Sequence, residues 1–385
     1  MTAVRWDNLY LAGLGHWLPD AVSAREAVDA GLLDAERFKT LGYTSVCVGE
    51  DVAPPDMAVR AVRAAVQRAG VTPRDVALLL HGSLWFQGLD IWPTASYVAD
   101  RTGHPAVPAL DVQQRCNVGL GAIELAAGAL GAAAGTGAPG AAAGPGAPGS
   151  AAGPGAPGSA AGPGAAGSAA PGGSRRTAAI VSTADRFAAP AVDRWNMHDF
   201  NVYGDGATAM VLSTRAGFAR IRSTATVADN GLEGQTRGDA PFTTASPAAS
   251  EPIDLLARSG EFGRTIDHVQ TSVRIGRVLL MARNAALKEA GLKVGQIRRV
   301  VTPATGRLPG DAQLHDLLGV PEAATTWEYG RTTGHVGGGD WALGLEYLLR
   351  TGGLTAGDHA LLLGGGAGYT CTAVVVEILE TPEWT

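Results

Sequence analysis

The 385-residue sequence is poor in cysteine, in basic clusters and in long apolar runs. Its three cysteines, Cys47, Cys116 and Cys371, are too widely spaced for a disulfide framework or a CxxC metal site. No Lys/Arg cluster occurs and the net charge is −6, which argues against a nucleic-acid partner. No run of about 18 apolar residues escapes charge and Gly/Pro breaks, so no membrane-spanning helix is expected. The opening MTAVRWDNLYLAGLG lacks the charged and apolar regions of a signal peptide. HExxH, EF-hand and GxSxG patterns are missing, so metal hydrolysis and serine esterase chemistry have no support. These absences leave a soluble, cytoplasmic α/β protein as the expected class.

Glycine, by contrast, is abundant at 54 residues. Residues 131–174 contain only Gly, Ala, Pro, Ser and Thr, with AAGPGAPGS at 142–150 and 151–159 and AAGPGAAGS at 160–168. Lacking large apolar side chains to offset ordering entropy, this segment reads as a flexible, exposed insertion. Gly does not recur every third residue, which excludes collagen. A second repeat is more informative. AAVQRAGVTPRDVALLL at 64–80 resembles AALKEAGLKVGQIRRVV at 285–301. Each reads as an amphipathic helix, a glycine C-cap (Gly70, Gly291), a turn and an apolar strand. The chain therefore reads as two related halves, 1–215 and 216–385, each alternating strands and helices.

Cys116 follows the strand-like VPALDVQQR and opens an apolar helix of about 117–130. A helix start stabilises the thiolate, the nucleophilic form of the side chain. A small buried core residue is the competing reading, and it is the preferred one for Cys47 and Cys371. In the second half, GHVGGGDWALGLEYLL (334–349) falls at the equivalent position, so the two helix starts are expected to face one another. There a helix dipole disfavours imidazolium, which predicts a neutral His335, and it favours an ionised Asp340. Nucleophile, base and orienter would then be Cys116, His335 and Asp340; ordinary capping by Asp340 and a surface position for His335 are the alternatives. The Gly-rich turn within LLLGGGAGYTCTAVVVEI (361–378) lets a backbone N–H approach a reacting carbonyl.

With these motifs in their order, the sequence resembles the ketoacyl-ACP synthase III family. LAGLGHWLPD, DMAVRAVRAA, DVQQRCNVGLGAIELA, VYGDGATAMVL and GGGAGYTCTA are each similar to a family segment. The resemblance implies a thiolase-like α/β fold, internally duplicated with five αβαβα layers. It implies Cys116 as the acylated nucleophile, and the backbone N–H groups of Cys116 and Gly368 as the oxyanion hole. Trp92 matches the aromatic residue that reaches into a dimer partner's acyl pocket, and Trp85 and Phe86 are further candidates for a pocket lining. No cofactor is implied: the substrate is a thioester on phosphopantetheine of an acyl carrier protein or on CoA. Condensing members carry a histidine in the loop that reads TPATGR (302–307) here, and Gly-Asn where this chain has Gly334-His335. The GHVGGGD segment instead resembles the acyltransferase branch, which pairs Cys, His and Asp. His335 replacing the loop histidine, Asp340 acting through a water, and altered chemistry at Thr305 remain alternatives, with His335 preferred. The implied function is acyl transfer to a small-molecule hydroxyl acceptor, often a sugar in antibiotic pathways. Decarboxylative condensation with malonyl-ACP and a noncatalytic partner subunit are the rivals.

Overall fold

The computed structural model describes residues 1–133, 176–239, 252–308 and 313–384. The chain starts with β1 (Thr2–Arg5), β2 (Tyr10–Trp17), β3 (Ala21–Ser23), α1 (Ala24–Asp29), α2 (Ala35–Leu41) and β4 (Ser45–Cys47). It continues through α3 (Pro54–Ala69), β5 (Val76–Gly82), α4 (Thr94–Arg101), β6 (Ala109–Val112) and α5 (Val118–Ala133). Next come β7 (Ala178–Asp185), β8 (Gly206–Ser213), β9 (Ala219–Ala228), α6 (Gly234–Arg237), α7 (Leu255–Phe262) and α8 (His268–Ala290). The chain closes with β10 (Arg299–Val301), α9 (Leu314–Leu318), α10 (Trp327–Thr333), α11 (Asp340–Arg350), β11 (His359–Gly366) and β12 (Thr370–Ile378). The Gly/Ala/Pro repeat lies outside the described residues, apart from 131–133, which complete α5.

Local chemistry accounts for the elements that frame the site. Helix α3 opens on Pro54 and Pro55, where their missing N–H groups cost nothing, and ends at Gly70 in the left-handed region (φ +63°). Its buried Met57, Ala58, Ala61, Val62 and Ala65 follow helical spacing. Helix α8 ends likewise at Gly291 (φ +71°) before β10. All eight residues of β7 and of β8 are buried, because helices cover both faces of these strands. Alternation separates the faces: Ile180 joins a core cluster with α3, whereas Val181 joins one with α5 and α11.

One ten-stranded sheet has the order β6-β5-β7-β8-β2-β9-β12-β11-β10, with β1 also paired to β9. The runs β5-β7-β8-β2 and β10-β11-β12-β9 share one pattern, a parallel pair followed by two antiparallel ones. They join through two residue pairs only, Tyr10 with Arg220 and Leu11 with Ala219. Between them, α5 and the turn preceding α11 come together backbone to backbone. A Cβ on Gly119 would lie 2.1 Å from the Gly338 carbonyl oxygen, so no side chain fits there. Among the described residues no helix is long and apolar enough to cross a membrane.

The GDGA turn ahead of β8 owes its form to Asp205, which is fully buried. Its carboxylate accepts two bonds from the Arg194 guanidinium, both 2.9 Å, and the N–H groups of Gly49 (2.8 Å) and Phe187 (2.7 Å). Three separate loops are thereby tied to one strand end. Asp205→Ala strands the Arg194 charge inside the protein and is expected to cost about 3–5 kcal/mol, read as a lowered urea midpoint.

Candidate active site

Cys116 sits in a single 3₁₀ turn, Arg115–Asn117, between β6 and α5. Arg115 adopts a left-handed conformation (φ +49°), a strained state for a residue with a side chain. The turn is held by the buried Asn117. Its Nδ2 donates to Gln114 Oε1 (2.6 Å) and Thr372 Oγ1 (2.9 Å), and its Oδ1 accepts the Thr372 N–H (3.0 Å). The end of β11 packs against the same turn. A Cβ on Gly366 would lie 2.4 Å from the Gln114 carbonyl oxygen and 2.9 Å from the Asn117 nitrogen, which explains the glycine. Gly368 lies in the β11–β12 turn, and its N–H has no acceptor among the described residues.

His335 comes from the other half and is 1% exposed, so it is no surface residue. Its N–H donates to the Val202 carbonyl (2.8 Å), and its carbonyl accepts the Gly204 N–H (3.0 Å). Its Nδ1 bonds Asp340 Oδ2 at 2.6 Å, and the Cys116 sulfur is near enough to act on the ring electrostatically. Asp340 is the first residue of α11, whose N-cap is Gly339, so its carboxylate is not occupied in capping. It also accepts the N–H groups of Val336 (2.9 Å) and of Ala304 (2.7 Å), the latter within the TPATGR loop. These three contacts orient the imidazole and the loop together.

The expected neutrality of His335 is corrected by this geometry. Burial disfavours the imidazolium, but the Asp340 carboxylate and then the Cys116 sulfur outweigh it, raising the pKa well above the ordinary histidine value. The helix dipole invoked from the sequence is weaker than a carboxylate at hydrogen-bond distance. The arrangement this environment favours is an imidazolium held beside the Asp340 carboxylate.

Cys116 and His335 open into a cavity of about 450 Å³. Trp85 and Thr305 line it, as do Ala367 and Tyr369 on either side of Gly368. Phe86 does not, and its assignment to the pocket is corrected. Asp185 accepts the Leu84 and Trp85 N–H groups, and Trp85 turns into the cavity while the next side chain, Phe86, turns outward and is 47% exposed. Trp92 is absent from this cavity and packs on Tyr97 of its own chain, ring centroids 5.3 Å apart. Cys47 and Cys371 are buried core residues. Burial, then Asp205 and Asp20, push the Cys47 thiol up to about 12; burial likewise raises that of Cys371.

Four polar residues near the centre escaped the sequence reading. His198 and Asn201 line the cavity, and Tyr203 packs its ring on His335, centroids 5.5 Å apart. Asp185, beside Gly337, is driven up to about 8 by burial, against the Trp85 and Leu84 N–H bonds and the nearby His335. All lie at the end of β7 or in the irregular stretch before β8, where no periodicity marks them. Among the described residues no group of three or more His, Cys, Asp and Glu has the arrangement of a metal site.

The fold is that of the thiolase-like enzymes. Residues 287–378 match the family model described as 3-oxoacyl-[acyl-carrier-protein] synthase III C terminal. A solved structure, the acyltransferase ChlB3, superposes with a TM-score of 0.82 at 31% identity, over 98% of this chain and 100% of that one. The 3-oxoacyl-[acyl-carrier-protein] synthase III of Aquifex aeolicus shares the fold at TM-score 0.66 and 17% identity, over 96% of this chain and 99% of its own. The beta-ketoacyl-[acyl-carrier-protein] synthase III of Streptomyces lividans is 34% identical over 101 residues, which is 26% of this chain and 30% of that relative's length. The chain belongs to the ketoacyl-ACP synthase III family of acyltransferases.

Two outcomes follow from the site's electrostatics. Iodoacetamide at pH 7 is expected to modify Cys116 alone in the folded protein, by peptide mapping, and His335→Ala to slow that reaction at least about tenfold. Asp185 and His335 both have raised folded-state pKa values. Their stabilising contribution is full at acid pH and is lost as pH rises through those values. The thermal midpoint is therefore expected to fall between pH 6 and pH 9, and Asp185→Asn to shrink that fall.

Proposed function

We propose that the protein transfers an acyl group from a phosphopantetheine thioester, on an acyl carrier protein or CoA, to a hydroxyl of a small-molecule acceptor. The frame would be a duplicated, five-layered αβαβα arrangement of the halves 1–215 and 216–385, working as a homodimer. The observation that carries this reading is His335, with Asp340 on its Nδ1 and the Cys116 sulfur as its electrostatic neighbour, at the wall of one cavity.

Cys116 Sγ attacks the thioester carbonyl carbon, and the N–H groups of Cys116 and Gly368 hold the developing oxyanion. The C–S bond to the pantetheine arm breaks, and the leaving thiolate takes the proton of the imidazolium. Acylation removes the negative sulfur that helped hold that proton, so His335 becomes the neutral base the second step needs. It then accepts the acceptor's O–H proton as the oxygen attacks the acyl carbon, and Cys116 leaves as thiolate. Trp85 and Thr305 would contact the bound groups.

The nearness of Asp340 argues against the rival condensation. An enolate formed by loss of CO2 needs donors, and a carboxylate held close to it repels it. The match to the synthase III C-terminal family model favours that rival, and release of CO2 from malonyl-ACP with a 3-oxoacyl product would establish it.

Intact-mass spectrometry after incubation with acyl-ACP or acyl-CoA tests the reading. The wild type is expected to gain one acyl mass, Cys116→Ala none, and Asp340→Asn to acylate more slowly by about 10²-fold or more. A wild type that never gains mass, or a Cys116→Ala that does, overturns it.

A further inference from the structure

The stretch 198–204 runs directly beside His335, whose N–H bonds Val202 and whose carbonyl bonds Gly204. The same stretch is tied to the TPATGR loop, since the Gly306 N–H donates to the Phe200 carbonyl at 2.9 Å. Two of its side chains enter the cavity with unused hydrogen-bonding capacity. Asn201 is 7% exposed, and its Oδ1 has no partner among the described residues. A buried acceptor left unpaired is an unusual feature in a folded protein.

His198 supplies the opposite capacity. The Phe200 N–H donates to its Nδ1 at 3.4 Å, which leaves the proton of the neutral ring on Nε2. Burial, helped by His335 and Arg37 and opposed by Asp199, lowers its pKa to about 4, so the ring is neutral at working pH. The Nε2–H has no acceptor among the described residues. One free acceptor and one free donor therefore stand three residues apart on the segment that positions His335.

We propose that Asn201 and His198 form a subsite for a second hydroxyl of the acceptor, next to the hydroxyl that His335 deprotonates. A hydroxyl is the smallest neutral group that donates to one and accepts from the other. The acceptor class is then a polyol, with neighbouring hydroxyls, rather than a simple alcohol. This rests on the acyl-transfer reading above.

The test separates the two half-reactions. Full-length enzyme is acylated with acetyl-CoA or with the N-acetylcysteamine thioester of hexanoate, excess donor is removed, and loss of the acyl mass is followed with glycerol or 1-propanol. Wild type is expected to discharge to glycerol about tenfold faster or more. Asn201→Leu and His198→Phe should lose that preference while changing the acylation rate far less. His198→Gln, which keeps an N–H donor, should retain most of the preference. Circular dichroism checks the fold, and Asn201→Ser stands in if Asn201→Leu does not fold. Equal discharge by both alcohols in the wild type, or a preference that survives in the His198 and Asn201 variants, overturns the subsite. So does a variant effect confined to acylation, which would place the pair on the donor's pantetheine arm. A wild type that acquires no acyl mass overturns the acyl-transfer reading, and the subsite with it.

Discussion

The proposed chemistry depends on a contact made by no side chain at all. Gly119, in the first turn of α5, rests against the Gly338 carbonyl, just ahead of α11. Only bare backbone permits that distance, and the residues flanking it are Cys116 on one side and His335 and Asp340 on the other. The ring of His335 lies beside the Asp340 carboxylate there, and that carboxylate holds the proton on the imidazole. Widening the glycine contact by one methyl group would loosen every one of these distances together.

Around that contact the protein buries several charged groups, and each is resolved differently. Asp205 has a bidentate arginine partner and two backbone donors. Asp340 has a histidine and two backbone donors. Asp185 has backbone donors but no cation bound to it, and its carboxyl is correspondingly pushed up to about 8. Glu346, farther out, is shared by Arg68 (3.0 Å) and His16 (2.9 Å). Strand β2 and helix α3 are in this way held to α11 on the side away from the cavity.

Much of the frame is legible in the sequence. Glycine caps at Gly70 and Gly291, the period of α3 and the apolar runs of β7, β11 and β12 follow from local rules. The approach of Cys116 to GHVGGGD is also legible, because a repeated helix–turn–strand unit carries a spatial equivalence with it. The polar lining is not. His198, Asn201 and Asp185 act through tertiary neighbours on a stretch without a regular period, and nothing in their spacing separates them from surface residues. The direction in which Trp85 and Phe86 face depends on Asp185, about a hundred positions away, which pins the backbone between them. His335's charge was misjudged because a dipole was weighed without the carboxylate that the fold brings to its Nδ1.

Helix α5 has 16 residues, and at a rise of about 1.5 Å each it spans about 24 Å. Cys116 immediately precedes one end of it, and residues 131–133 form the other. A disturbance at that far end therefore reaches the sulfur only through about four turns of helix.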